Sequence, residues 1–129
     1  MKILLDTHAF LWWCNDSSKL SSLALKLIKD SSNDIFLSVA SVWEMAIKIR
    51  LGKLKLPEEL ENFCKKHCDL SHFQILPVEL QHASKVHTLP LHHKDPFDRM
   101  LISQAQTEDL ILISYDQYFK QYENLNLMW

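Results

Sequence analysis

Residues 1–13, MKILLDTHAFLWW, decide how the rest of the chain is read. Ile3, Leu4 and Leu5 form a short apolar run without alternation, the pattern of a strand covered on both faces inside a parallel sheet. The run stops at Asp6, where the strand must leave the core. Thr7 is placed to cap a helix that His8 to Cys14 begin. In open parallel sheets ligands bind beyond the carboxyl ends of the strands, which is where Asp6 falls. An aspartate there also has a plain structural use in capping the next helix, and on its own Asp6 favours that reading.

Outward from this stretch, strands and helices alternate. Leu20 to Lys29 carries apolar residues at helical spacing, with Ser21 or Ser22 as cap. Residues 34–38, DIFLS, form a second apolar strand. Val39 to Leu51 is a helix closed by Gly52, where a left-handed C-cap is wanted. Pro57, followed by Glu58, Glu59 and Glu61, opens the next helix with the acidic start that the helix dipole favours. Gln74 to Val78 is a third strand, and Pro77 puts it at an edge. A short helix over 78–87 and a loop over 90–95 follow. Pro96 starts a helix to about Thr107, residues 110–114 (LILIS) are a fourth buried strand, 116–122 a short helix and 125–128 a last strand. This alternation predicts an α/β fold on a parallel sheet, with right-handed crossovers placing helices on both faces.

Composition sets the outer bounds. The 129 residues are read as one domain spanning 1–129, ample for a core. A hydrophobic share of 47% with 23% charged excludes disorder, and a net charge of −2 leaves any basic surface local. Three cysteines argue against a disulfide framework and, with no signal peptide, for the cytoplasm. No stretch reaches the length of a membrane span. The single glycine, Gly52, excludes Gly-rich phosphate loops.

Four acids stand out against this background. Glu44 lies in a helix that is apolar nearly all round and shares a stripe with Ala40, Ile47 and Leu51. Its structural reading is a capping box over Ser41 to Glu44 and an i,i+4 pair with Lys48. Asp98, in DPFDRMLISQA, falls on the line of Leu101, Ile102 and Ala105, while Arg99, Ser103 and Gln106 take the outside. Its structural reading is complementation of the helix dipole. Asp116 follows the fourth strand and could cap the short helix after it. Each alone reads as structural. Together Asp6, Glu44, Asp98 and Asp116 come from separate elements yet converge on one edge of the sheet, if the first strand is central. Like charges so gathered repel, and a hard divalent cation, Mg²⁺ or Mn²⁺, suits an oxygen-only donor set. The chemistry this supports is metal-assisted phosphodiester hydrolysis.

LLDTHAFLWW, SVASVWEMAIKIRLGKL, HKDPFDRMLISQA and LISYD resemble the successive motifs of PIN-domain ribonucleases, closest to the VapC-type toxins of toxin–antitoxin pairs. The resemblance covers nearly the whole chain. It implies a PIN-like three-layer sandwich with a sheet of about five strands in the order 3-2-1-4-5. By position it implies Asp6, Glu44, Asp98 and Asp116 as the catalytic, metal-binding quartet of a Mg²⁺- or Mn²⁺-dependent endoribonuclease. Thr7 matches the hydroxyl beside the first acid. Ser114 stands where many members have Thr, and Asp95 is an extra acid whose role the family pattern leaves open. An RNA substrate, a small antitoxin and a homodimer are expected on the same ground.

Other features are read more plainly. Cys64, His67, Cys68 and His72 have a zinc-like spacing, but with Leu60 and Phe63 most of them form an ordinary amphipathic stripe. His92 and His93 are read as exposed loop residues, and His8 is left open between the site entrance and the layer beneath. Lys48, Arg50, Lys53 and Lys55 form a basic run that suits solvent or an RNA backbone equally. Trp12 and Trp13 are assigned to core or dimer interface rather than to base stacking. The alternatives to a nuclease are a catalytically silent RNA-binding PIN-like domain and a doubly wound phosphohydrolase. One type of the latter wants a second Asp where His8 stands.

Overall fold

A computed structural model describes residues 1–129. Five strands pair in parallel in the order β3-β2-β1-β4-β5. They are β1 (Lys2–Leu5), β2 (Asp34–Ser38), β3 (Gln74–Leu76), β4 (Ile111–Ile113) and β5 (Leu127–Met128). β1 is central, which is why Ile3, Leu4 and Leu5 are all fully buried. Leu5 pairs with Leu37 on one side and Ile113 on the other, so three strand ends are level. The residues that follow them are Asp6, Ser38 and Ser114, and the Asp6 amide extends the ladder to the Ile113 carbonyl at 3.1 Å.

Side chains alternate across the sheet. Ile3 and Leu5 meet α1 (Thr7–Cys14), α2 (Ser22–Lys29), α3 (Val39–Arg50) and α4 (Leu60–Ser71) through Phe10, Leu27, Met45 and Phe63. Leu4 faces the other way, towards Leu101, Ile102 and Ala105 of α6 (Pro96–Glu108) and towards Phe119. Outside α6 lies α5 (Leu80–Lys85), continued by a 3-10 turn over Val86–Thr88. Cys64 and Cys68 are buried in the first core, as the amphipathic stripe implies. No helix is long and apolar enough to cross a membrane.

Several local expectations are corrected. Asp6, not Thr7, caps α1: its backbone is extended and its Oδ1 accepts from the Ala9 amide at 2.7 Å, while Thr7 is already helical. Ser38 caps α3, so the box over Ser41 to Glu44 does not form, and the buried Ser41 hydroxyl has no partner. The helix expected from Pro57 begins at Leu60, because Leu54 and Leu56 first pack against the core in a non-helical segment. Gly52 is left-handed at φ +73°. The Lys53 and Gly52 amides return to the Lys48 and Ile49 carbonyls, a Schellman closure.

The outer face assigned to α6 is also overturned. Arg99 and Ser103 are buried, because α5 and the segment after it cover that side. The Arg99 guanidinium donates to the carbonyls of Val86, Leu89 and Pro90, and the Ser103 hydroxyl donates to that of His82. The reverse error falls on α3, whose Trp43, Ile47 and Leu51 are exposed rather than enclosed.

Candidate active site

The level strand ends place the first acids. Asp6 closes β1, and while its Oδ1 caps α1 its Oδ2 accepts a hydrogen bond from the Ser114 hydroxyl. The Ser114 oxygen in turn accepts from the Asp116 amide at 3.0 Å, which ties the end of β4 to the end of β1. Asp116 caps the 3-10 turn Gln117–Gln121 by accepting from the Tyr118 amide at 2.9 Å. Glu44 reaches the same place from the second turn of α3. It accepts from the Thr7 hydroxyl at 2.7 Å and from Lys48 at 2.8 Å, and is buried between them.

The α6 side is built differently. Asp95 caps the helix, its Oδ1 accepting from the Phe97 and Asp98 amides at 2.9 and 3.0 Å. Pro96 holds the first helical position, so Asp98 at the third turns inward. Asp6, Glu44, Asp95, Asp98 and Asp116 line one basin of about 400 Å³, with Lys48 as its one Lys or Arg. Thr7 lines it too, while Arg50 lies exposed at the end of α3 and does not. His8 stands at the basin wall against Trp12, with ring centroids 5.6 Å apart.

Charge is poorly compensated in this basin. Burial, and after it the carboxylates of Asp95, Glu44, Asp116 and Asp6, push the Asp98 carboxyl up to about 8. Asp6 is raised as well, chiefly by burial, although the Ser114 hydroxyl and the Ala9 amide pull it back in part. A metal-binding reading is compatible with this donor set. All the donors are hard oxygens, and Asp95, Asp98 and Asp116 each keep an oxygen that accepts no hydrogen bond. The side chains as they stand are not drawn to common ligand distance. They form a basin of unbalanced negative charge rather than a closed cage.

Three residues beside the quartet were read otherwise from sequence or passed over. His93 is not an exposed loop residue: its ring stacks on Tyr118 at 5.6 Å and lies edge-on to Phe119 and Tyr122. Its Nδ1 meets the Tyr122 hydroxyl at 2.7 Å, and that hydroxyl accepts from Arg99 at 3.2 Å. A guanidinium only donates, so the Tyr122 proton is free for Nδ1 and the ring proton belongs on Nε2. Nε2 is buried without a full hydrogen bond and faces Asp98 Oδ2 at 3.5 Å. Burial keeps this histidine below its usual range despite the acids around it. One signal for Arg99 was available: Pro90 keeps the chain before it from continuing as helix, so the Leu89 and Pro90 carbonyls lack a helical donor.

The PIN domain family matches residues 3–125. Ribonuclease VapC16 of Mycobacterium tuberculosis is 38% identical over 64 residues, 47% of this chain and 42% of that one, so the match spans less than half of the curated relative. Among solved structures, VapBC2 of Rickettsia felis bound to a promoter DNA fragment superposes with a TM-score of 0.74 at 21% identity, covering 99% of this chain and 98% of that one. DNA-bound VapBC of Salmonella typhimurium gives 0.70 at 15% identity, with 99% and 97% covered. At such identities the structures speak for the fold alone. The family match runs through every strand but the last, and the chain belongs to the PIN domain family.

Proposed function

We propose that residues 1–129 act as one PIN-type unit, a divalent-metal-dependent endoribonuclease that hydrolyses RNA phosphodiester bonds as the VapC-type toxin of a toxin–antitoxin pair. The observation that carries this reading is Asp98. Capping accounts for Asp6, Asp95 and Asp116, and Glu44 has Thr7 and Lys48, but the Asp98 carboxylate accepts no hydrogen bond and has only the Nε2 of His93 at 3.5 Å. An acid pushed up to about 8 by burial and by four other acids is an unfavourable feature without a cation to offset it. The partial likeness to ribonuclease VapC16 supports RNA as the substrate.

Asp6, Glu44, Asp98 and Asp116 would hold Mg²⁺ or Mn²⁺. Bound there, the ion supplies a Lewis acid that offsets charge developing on the phosphate and makes an attacking water more acidic. The chain's own residues do the rest. Thr7 fixes the rotamer of Glu44 by donating to Oε1, and Lys48 neutralises Oε2 without filling the basin. Ser114 orients Asp6 and holds the Asp116 amide, so the acids that follow β1 and β4 are tied to each other. His93 stands behind Asp98 with its Nε2 proton towards Oδ2.

An acidic basin is also a natural target for an arginine from a small inhibitory partner, so this edge of the sheet is where the antitoxin is expected to bind. Self-association as a homodimer has apolar surface available in Trp43, which is 60% exposed and lies edge-on to Phe97 at 5.0 Å. The cytoplasm is the compartment proposed for all of this.

The test is purified protein incubated with a mixed RNA pool in Mg²⁺, Mn²⁺ or EDTA, followed by mapping of the cut ends. Discrete cuts with metal and none in EDTA are expected. Full cleavage in EDTA would remove the metal from the mechanism. Growth arrest on expression of the chain alone, relieved by a co-expressed neighbouring small protein, is the expectation for the toxin role.

A further inference from the structure

We propose that Trp12, Tyr115 and Trp129 form a subsite that stacks one unpaired nucleobase at the lip of the acidic basin, an inference that rests on the ribonuclease reading above. The three rings close a triangle. Centroids lie 6.2 Å apart for Trp12 and Tyr115, 5.8 Å for Trp12 and Trp129, and 5.9 Å for Tyr115 and Trp129, at interplanar angles between 61° and 68°. Trp12 and Trp129 are half-buried and packed against the core beneath β1, so they form a rigid base. Tyr115 stands on that base with 61% of its surface exposed.

A purely structural role explains the two indoles but not the phenol. A ring that served packing would bury its area, whereas Tyr115 meets both neighbours edge-on and has no parallel ring partner. The other exposed tyrosine of the basin, Tyr118, already stacks one face on His93 at an interplanar angle of 6°. Tyr115 is the ring with stacking capacity left over.

Its position gives that capacity a use. Tyr115 lies between Ser114, which holds Asp6, and Asp116, and with Trp12 it lines the same basin as the acids. A phosphate at the acids would therefore have an adjoining base within reach of this lip. The acidic basin gives an RNA backbone little direct attraction, and aromatic stacking supplies affinity that is independent of charge and tolerant of sequence. Lys19, whose Nζ lies 5.7 Å from the Trp12 ring centroid, adds a cation beside the lip for the backbone. Bases in a duplex stack on one another, so the subsite selects unpaired nucleotides.

The experiment uses the full chain with cleavage blocked by Asp98→Asn, in Mn²⁺. Three labelled probes are compared by anisotropy and indole fluorescence: a ten-nucleotide oligoadenylate, a base-free ribose-phosphate strand of the same length, and the oligoadenylate annealed to oligouridylate. The oligoadenylate should bind about tenfold more tightly than the other two and quench the indoles. Tyr115→Ala should remove that tenfold advantage, while Tyr115→Phe should keep it, with both variants checked for an unchanged melting curve. Equal binding of the oligoadenylate and the base-free strand would overturn the subsite, as would full binding by Tyr115→Ala. If Tyr115→Ala instead weakens only the association with a protein partner, the lip is a protein contact and the inference fails. Metal-dependent cleavage of an RNA pool by the unaltered chain is measured in parallel, so a loss of the nuclease reading is seen separately from a loss of the subsite.

Discussion

The two sides of the basin hold their acids in opposite ways. On the β1–α3 side, Asp6 and Glu44 are each engaged at both oxygens, by the Ala9 amide and Ser114 in one case and by Thr7 and Lys48 in the other. On the α6 side, Asp98 accepts no hydrogen bond and has only the Nε2 of His93 at 3.5 Å. An acid with local donors serves the fold and is available to the chemistry as well. An acid without them is expensive to the fold and serves the chemistry alone. The sharpest way to break the comparison is therefore Asp98→Asn. Cleavage should fall by at least about a hundredfold, the scale seen when one preorganised electrostatic group is lost. The metal-free melting temperature should hold or rise. A variant that still cuts at full rate would show that the acid without donors is not the functional one.

The same asymmetry predicts a pH dependence. The folded Asp98 carboxyl sits at about 8 against 3.8 for a free aspartate, so between those values the folded chain keeps a proton that the unfolded chain has lost. Stability is then fully present below about 4 and falls as pH rises towards 8. His93 runs the other way, because its lowered folded value makes stability rise with pH, but only up to its ordinary range near 6.5. In the window from about 6.5 to 8, in EDTA, the melting temperature should therefore fall with pH. Asp98→Asn should remove the part of that fall due to Asp98, and saturating Mn²⁺ should abolish it. A flat profile for the unaltered chain would show that Asp98 is not held protonated.

What was legible in the sequence follows from the same physics. β1 could be read because a central parallel strand is apolar on both faces, and Ile3 to Leu5 show this without ambiguity. The acids could be read because each lies just past a strand or within the first two turns of a helix. α6 was misread on its outer side because Arg99 and Ser103 are polar yet buried, with partners in the segment that precedes the helix. Periodicity assigns polar residues to solvent, and only the fold supplies the carbonyls that bring them in. Trp43 fails in mirror image: apolar in sequence, it remains exposed because α6 and the sheet leave that side of α3 uncovered. His93 was misplaced because its partners Tyr122 and Tyr118 lie 29 and 25 residues on, out of reach of any local pattern.

A smaller effect sharpens the comparison from the well-supported side. Thr7→Val removes the hydroxyl that donates to the buried Glu44 while keeping the shape of the side chain. Lys48 still holds the other oxygen, so the loss should be about 2 kcal/mol, in the range for a hydrogen bond to a charged group. Cleavage should fall about tenfold as Glu44 loses its fixed orientation. Thr7→Ser should restore both, read by denaturant titration and by rate. Equal defects in Thr7→Val and Thr7→Ser would mean that the methyl group, not the hydroxyl, is what matters.

The smallest expected change is at Asp95, one turn before Asp98 and opposite to it in character. Its Oδ1 takes the Phe97 and Asp98 amides, which fixes the start of α6 and with it the backbone of Asp98. That capping role alone explains an aspartate there. After burial, its charge is also the largest influence that raises Asp98. Asp95→Asn keeps a capping oxygen and removes that charge, so the metal-free fold should be as stable or slightly more stable at pH 8, and most of the cleavage should remain. Asp95→Ala loses the cap as well and should cost about 1 kcal/mol. Two melting curves and a cleavage assay in saturating Mn²⁺ separate these outcomes. Should Asp95→Asn prove as inactive as Asp98→Asn while folded, Asp95 touches the metal or the substrate, and the division between capping acid and working acid on α6 does not hold.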